Sequence, residues 1–167
     1  MKNSYALVTG ATSGIGLEIS KYLAKKGYNL ILVARTKDKL NYISKDLSQK
    51  YNVECDYFPS DLSEIKSPDD IYNFTKENHY NINILVNNAG YALPNAFHKN
   101  SMEEEEKCLR VLGISVIALT KKYIKQHYDL TVPNIKITPK IIVVHHTGIN
   151  DFDKSFKRFI ESKLPND

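Results

Sequence analysis

The sequence predicts a doubly wound α/β domain whose parallel strands run in the order 3-2-1-4-5. Three observations predict it. Short apolar runs alternate with amphipathic helical stretches, the connections between them are short, and a glycine-rich turn joins the first run to the first helix. Parallel strands with right-handed crossovers place helices on both faces of the sheet. The ligand crevice then falls at the carboxyl ends of strands 1 and 4, where the strand order reverses. The 167 residues suit one domain, spanning 1–167, and hold no internal repeat or low-complexity tract.

The elements follow in order. Tyr5, Ala6, Leu7 and Val8 form an apolar run ending in Thr9 and Gly10, a strand feeding a turn. Ile15, Ile19, Tyr22 and Leu23 mark one helical face, and Gly27 stands where a helix end favours a left-handed residue. Residues 29–33 are apolar after the first, as in strands covered on both sides. Leu40, Ile43 and Leu47 line a second helix, and 53–58 is a weaker third strand. Ser67, Pro68, Asp69 and Asp70 open a helix with an N-cap serine, a first-turn proline and early acids. Residues 82–86 make a fourth strand. Ser101 followed by Glu104 is a capping box for a helical region running to about Tyr128. Residues 141–144 make a fifth strand, and 152–163 a last helix.

Composition excludes several classes. With 42% hydrophobic and 25% charged residues the chain can build a core, so wholesale disorder is excluded. The net charge of +4 is spread along the sequence, which gives no basic face for nucleic acid. Cys55 and Cys108 lie far apart and suit a reducing cytosol, so a cytoplasmic protein is expected. The N-terminal apolar run is too short for a signal peptide, and Gly113 and Ser115 interrupt the longest apolar stretch, 111–119. No membrane role is expected. The charge run 103–106 reads as a solvated helix face.

The turn reads Thr9-Gly10-Ala11-Thr12-Ser13-Gly14-Ile15-Gly16. Gly10 permits the tight turn, Gly14 lets a pyrophosphate approach the backbone, and Gly16 brings helix close to strand. Free N–H groups at the start of the helix then face an anion. About twenty residues on, NAD sites place a carboxylate for the ribose 2′-hydroxyl. Here the chain reads Ala34-Arg35, with no acid. Arg35 can pair a 2′-phosphate through charge-assisted bonds, so NADP is expected over NAD. Ser13 adds no second basic group within the turn.

The turn over 9–16, Asp61-Leu62 after the third strand, and Asn87-Asn88-Ala89-Gly90 after the fourth together resemble the short-chain dehydrogenase/reductase family. The resemblance runs from residue 4 to about 120 and implies a Rossmann-like fold. It implies a nicotinamide cofactor and hydride transfer between it and a ketone or aldehyde and the corresponding alcohol. By the same carry-over, Thr12, Ser13 and Ile15 join the glycines in holding the cofactor. Asp61 and Leu62 would sit at the adenine, and Asn88, Ala89 and Gly90 beside the ribose. Tyr91 would lie near the nicotinamide.

The resemblance also implies a catalytic Asn in the long helix, a Ser ending the fifth strand, and a Tyr-x-x-x-Lys. The tyrosine exchanges the proton, the lysine lowers its pKa, and the serine orients the substrate oxygen. This chain departs at each of these except the lysine. The helical Asn position falls on Leu112, and the fifth strand ends in Val144-His145-His146-Thr147-Gly148. Phe159 with Lys163 keeps the family spacing from the strand, and Asn150 with Lys154 is a second register. Neither supplies a phenol. Lys163 and His146 are therefore the candidate catalytic groups, His146 as a substitute acid. No metal site is expected, since adjacent strand residues point to opposite faces.

The family continues with further strands that would follow the last helix, and Asp167 precedes them. Residues 141–144 would then form an apolar edge that a second copy or another partner covers. Three readings stay open: a working reductase with a non-standard acid, a nucleotide-binding module without turnover, and a truncated product with no role of its own.

Overall fold

The computed structural model describes residues 4–130 and 140–143, with side chains through residue 125. In chain order these form β1 (Tyr5–Thr9), α1 (Gly14–Lys25), β2 (Asn29–Ala34), α2 (Lys37–Tyr51), β3 (Cys55–Pro59), α3 (Ser67–Glu77) and β4 (Ile82–Asn87). A short 3₁₀ turn (Phe97–Lys99), α4 (Met102–Leu109), a π-turn (Arg110–Ile114), α5 (Ser115–Leu130) and β5 (Lys140–Val143) complete the described chain. The sheet is parallel, in the order β3-β2-β1-β4-β5, as the alternation of elements predicts.

The period-2 geometry of the central strands sorts the core into two layers. Ala6, Val8, Leu30 and Leu32 face one side, where they pack with Ile19 and Leu23 of α1 and Leu40 and Leu47 of α2. Leu7, Ile31, Val33 and Leu85 face the other, against Ile71 of α3 and Leu119 and Tyr123 of α5. Both faces of β1 and β2 are thus dry, which is why these runs are continuously apolar. Tyr123 keeps its hydroxyl satisfied in this layer, 2.9 Å from the Thr75 hydroxyl.

Most element boundaries follow the sequence. Gly27, at φ +81°, receives the end of α1. The Ser101 hydroxyl accepts from Glu104 N–H at 3.2 Å, and Glu104 Oε2 accepts from Ser101 N–H at 2.8 Å, completing the capping box. Two details differ. Ser67 is the first residue of α3 rather than its cap, with Lys66 before it, because its hydroxyl donates to the Asp61 carbonyl instead. The long helical region is interrupted by the π-turn, whose extra residue shifts the helical phase. Ser115 donates to the Val111 carbonyl at 2.9 Å within this irregular stretch. The helix expected over 152–163, and with it His146, Asn150, Lys154, Phe159 and Lys163, lies outside the described residues.

One junction fixes the crevice. Thr9, buried at the end of β1, donates to the Val86 carbonyl of β4 at 3.3 Å and accepts the N–H groups of Asn88 and Ala89, each at 3.0 Å. The Asn88 side-chain amide returns the link, donating to the Thr9 and Gly10 carbonyls at 3.0 and 3.3 Å. The two turns at the switch point are therefore stapled to each other. Glycine is required where they meet. A Cβ on Gly10 (φ +68°) would come within 2.8 Å of Asn88 Nδ2, and one on Gly16 would overlap both the Gly10 carbonyl oxygen and that amide.

At the opposite end of the sheet, the Tyr5 and Tyr80 rings lie 4.6 Å apart. Tyr5 donates to Glu54, and Tyr80 to Asp56 Oδ2 at 2.7 Å. Burial, reinforced by these carboxylates, raises both phenols, Tyr80 to about 12. Burial raises Tyr123 as well.

Two predictions follow from this packing. Gly16→Ala should destabilise the chain by about 2 kcal/mol or more through overpacking. Gly14→Ala, at φ +52° with open space around its Cβ, should cost about 1 kcal/mol of backbone strain; chemical denaturation compares them. An unfolded tyrosine ionises near pH 10, below the raised native values. Stability contributed by the neutral phenols is therefore full below about pH 10 and lost as pH rises toward 12. Absorbance titration should show a late tyrosine fraction that ionises together with unfolding, and Tyr80→Phe should diminish it.

Candidate functional site: a nucleotide cleft at the switch point

The carboxyl ends of β1, β2, β3 and β4 surround a cavity of ≈ 490 Å³. Its floor is the turn after β1. Gly10, Thr12, Ser13, Gly14 and Ile15 all line it. Ser13 precedes α1 in extended backbone, and its side chain makes no capping bond. The first N–H groups of α1 are thus presented with a positive helix end behind them, the arrangement that receives a diphosphate. Gly14 adds a left-handed φ of +52° with no atom within 4 Å of where a Cβ would stand. A cradle that a Cβ would enter fits close approach of a phosphate to backbone.

The second wall comes from the end of β2. Arg35 is exposed, lines the cavity, and has no hydrogen bond or ion pair among the described residues. Thr36 and Lys39, at the start of α2, line the same wall. The third wall carries Ser60, Asp61 and Leu62, following β3. Asp61 is held in place locally: its Oδ1 accepts from the Ser63 N–H at 2.9 Å and the Ser63 hydroxyl at 2.8 Å. Leu62 is buried and gives this wall an apolar surface for a flat ring.

The fourth wall is the stapled turn after β4. Asn88, Ala89, Gly90 and Tyr91 line it together with Val111 from the π-turn. The π-turn also brings Leu112 against this loop, its Cδ2 3.0 Å from an ideal Gly90 Cβ, so no larger residue fits at 90 without movement. The Cys108 thiol donates to the Tyr91 carbonyl at 3.6 Å, a second tie between helix and turn. Burial, Cys108 and Asp61 together raise the Tyr91 phenol above its ordinary value.

Eleven of the twelve cofactor residues expected from the sequence thus line one cleft. The twelfth, Gly16, sits behind it, where its missing side chain admits the Asn88 amide. The candidate catalytic residues His146 and Lys163 lie outside the described residues. Sequence reasoning missed Thr9, Thr36, Lys39 and Val111. The helical spacing from Thr36 to Lys39 could have found one of them, since residues three apart share a face. Val111 could not be found that way, because the π-turn breaks the spacing. Among the described residues no group of three or more His, Cys, Asp or Glu is placed to hold a metal ion, and no helix is long and apolar enough to cross a membrane.

Comparison with known proteins agrees with this geometry. The family model for short chain dehydrogenase matches residues 4–134. A very-long-chain 3-oxoacyl-CoA reductase of Vanderwaltozyma polyspora is 33% identical over 122 residues, 71% of this chain and 35% of that protein. A human protein named inactive hydroxysteroid dehydrogenase-like protein 1 is 36% identical over 118 residues, 68% of this chain and 34% of its own. Among solved structures, a short-chain dehydrogenase from Sphingobium yanoikuyae in complex with NADPH superposes with a TM-score of 0.70 at 27% identity, covering 75% of this chain and 49% of that one. The chain thus spans about a third of the length of these curated relatives and about half of the solved structure. With the family model covering the sheet, the glycine turn and the stapled turn after β4, this chain belongs to the short-chain dehydrogenase/reductase family.

Proposed function

We propose that this chain binds NADP(H) in the switch-point cleft and serves hydride transfer between NADPH and a ketone or aldehyde. The observation that carries the reading is Arg35: a guanidinium at the end of β2, exposed to the cleft, unpaired among the described residues, where NAD sites place an acid. The α1 N-terminus and Gly14 hold the diphosphate, Asp61 and Leu62 meet the adenine, and Asn88, Ala89 and Gly90 flank the ribose. When bound, the nicotinamide supplies the hydride. His146 gives the substrate oxygen its proton, and Lys163 holds the ribose.

A second reading, a nucleotide-binding protein without turnover, has its own observation. Leu112 packs on Gly90 at the position where the family resemblance implies a catalytic Asn, and an isobutyl group moves no proton. A partner along β5 belongs to this reading, since β5 is the outer strand of the sheet among the described residues. In either case the chain would act in the cytoplasm.

Fluorescence titration of the full chain should show NADPH binding at least about tenfold tighter than NADH, the scale of one charge-assisted contact. Arg35→Ala should erode that preference. Equal affinities, or tighter NADH, would contradict the NADP assignment. NADPH consumption over a panel of ketones and aldehydes then separates the two readings. Turnover that His146→Ala removes, with NADPH affinity intact, supports the reductase; binding without consumption supports the second.

A further inference from the structure

Away from the cleft, β3 forms one border of the sheet, and its residues are only partly buried. In a parallel ladder alternate residues bond to the neighbouring strand, and those between them turn their N–H and C=O groups outward. The bonds to β2 begin with Leu30 N–H on the Glu54 carbonyl at 2.8 Å and end with Ser60 N–H on the Ala34 carbonyl at 2.9 Å. Glu54, Asp56, Phe58 and Ser60 therefore serve β2, while Cys55, Tyr57 and Pro59 face outward. An open row of such groups is a template for another strand.

This row is not open. Pro59 has no N–H to offer. The Tyr57 N–H is already taken, donating to Asp56 Oδ1 at 2.7 Å. The other oxygen of that carboxylate accepts from the Tyr80 hydroxyl at 2.7 Å. Tyr80 is itself held by ring contacts with Tyr5 and Phe74, at centroid distances of 4.6 and 6.0 Å. An aspartate that accepts its neighbour's N–H is a common local motif. Here the second anchor fixes the carboxylate against the outer edge of the strand.

We infer that Asp56 is a guard that keeps β3 from pairing with the β3 of a second copy of this chain. Antiparallel pairing centred on Tyr57 would set Tyr57 opposite Tyr57, Asp56 opposite Phe58, and Cys55 opposite Pro59. The central tyrosines would exchange their N–H···O bonds, and theirs is the donor that Asp56 holds. The flanking pairs could add only the Cys55 N–H, because Pro59 has none. This register sets no like charges directly opposite each other, so the hydrogen bond rather than repulsion closes the edge. Tyrosine and phenylalanine favour strands, which makes self-pairing the alternative to be prevented.

Amide hydrogen exchange and sedimentation of the full chain test this, with the unaltered protein beside Asp56→Ala. In the unaltered chain the Tyr57 amide, relative to its free-chain rate, should exchange at least about tenfold more slowly than the Cys55 amide, the scale of one charge-assisted bond. Asp56→Ala should associate one step beyond whatever assembly the unaltered chain forms. Its Cys55 and Tyr57 amides should become protected as concentration rises. Adding Tyr57→Pro removes the outward N–H, leaves the ladder to β2 in place, and should abolish the extra association. Equal exchange at 55 and 57 in the unaltered chain would overturn the inference, even if Asp56→Ala fails to fold. So would a folded Asp56→Ala chain whose assembly is unchanged. Extra association that leaves those amides unprotected, or that survives Tyr57→Pro, would overturn it as well.

Discussion

The cleft depends on the link between Thr9 and Asn88. One buried hydroxyl gathers two N–H groups from the turn after β4 and donates to the Val86 carbonyl of that strand. One side-chain amide reaches back to the carbonyls that end β1. Two turns far apart in sequence become one rigid rim. Gly10 and Gly16 are the consequence, because the amide occupies the space their side chains would need. The pattern of glycines thus has two separate causes. Gly10 and Gly16 make room for protein, whereas the space around Gly14 is open to the cleft.

The fold was legible because each strand announced its surroundings. Residues 5–8 and 30–33 are apolar on both faces, and that alone implies a parallel sheet covered by helices. The weaker third strand lies at one edge, where its residues are only partly buried. What escaped the sequence were features whose cause is tertiary. Ser67 looks like a cap, yet its hydroxyl is drawn to Asp61 across the loop. The π-turn has no periodic signature before the phase slips, and it alone carries Val111 to the cleft and Leu112 to Gly90. Lys39 was hidden for another reason: it is one lysine among many, and whether it lines the cavity depends on which side of α2 faces it.

Site and chemistry separate along the chain. The backbone amides, glycines and stapled turns proposed to bind the dinucleotide all fall within the described residues. The candidate proton-moving groups His146 and Lys163 lie outside the described residues, and the sequence departs from the family pattern at 112, inside them, and at 146 and 159, outside them. Binding needs only local geometry near the first four strands. Catalysis needs an acid placed against a substrate oxygen, and that requires elements further along the chain. This division explains why the nucleotide assignment rests on many concordant residues while the reaction rests on few.

In the proposed binding mode the amides around the first turn grip a dinucleotide diphosphate at the switch point. Amide chemical shifts of the isotopically labelled chain, followed during titration with NADP⁺, test it directly. The account predicts the largest changes at residues 10–16 and 88–91, with a second group at 35–39, and little at the Tyr5–Tyr80 end of the sheet. Perturbations scattered over the surface, or centred away from the ends of β1 and β4, would contradict it.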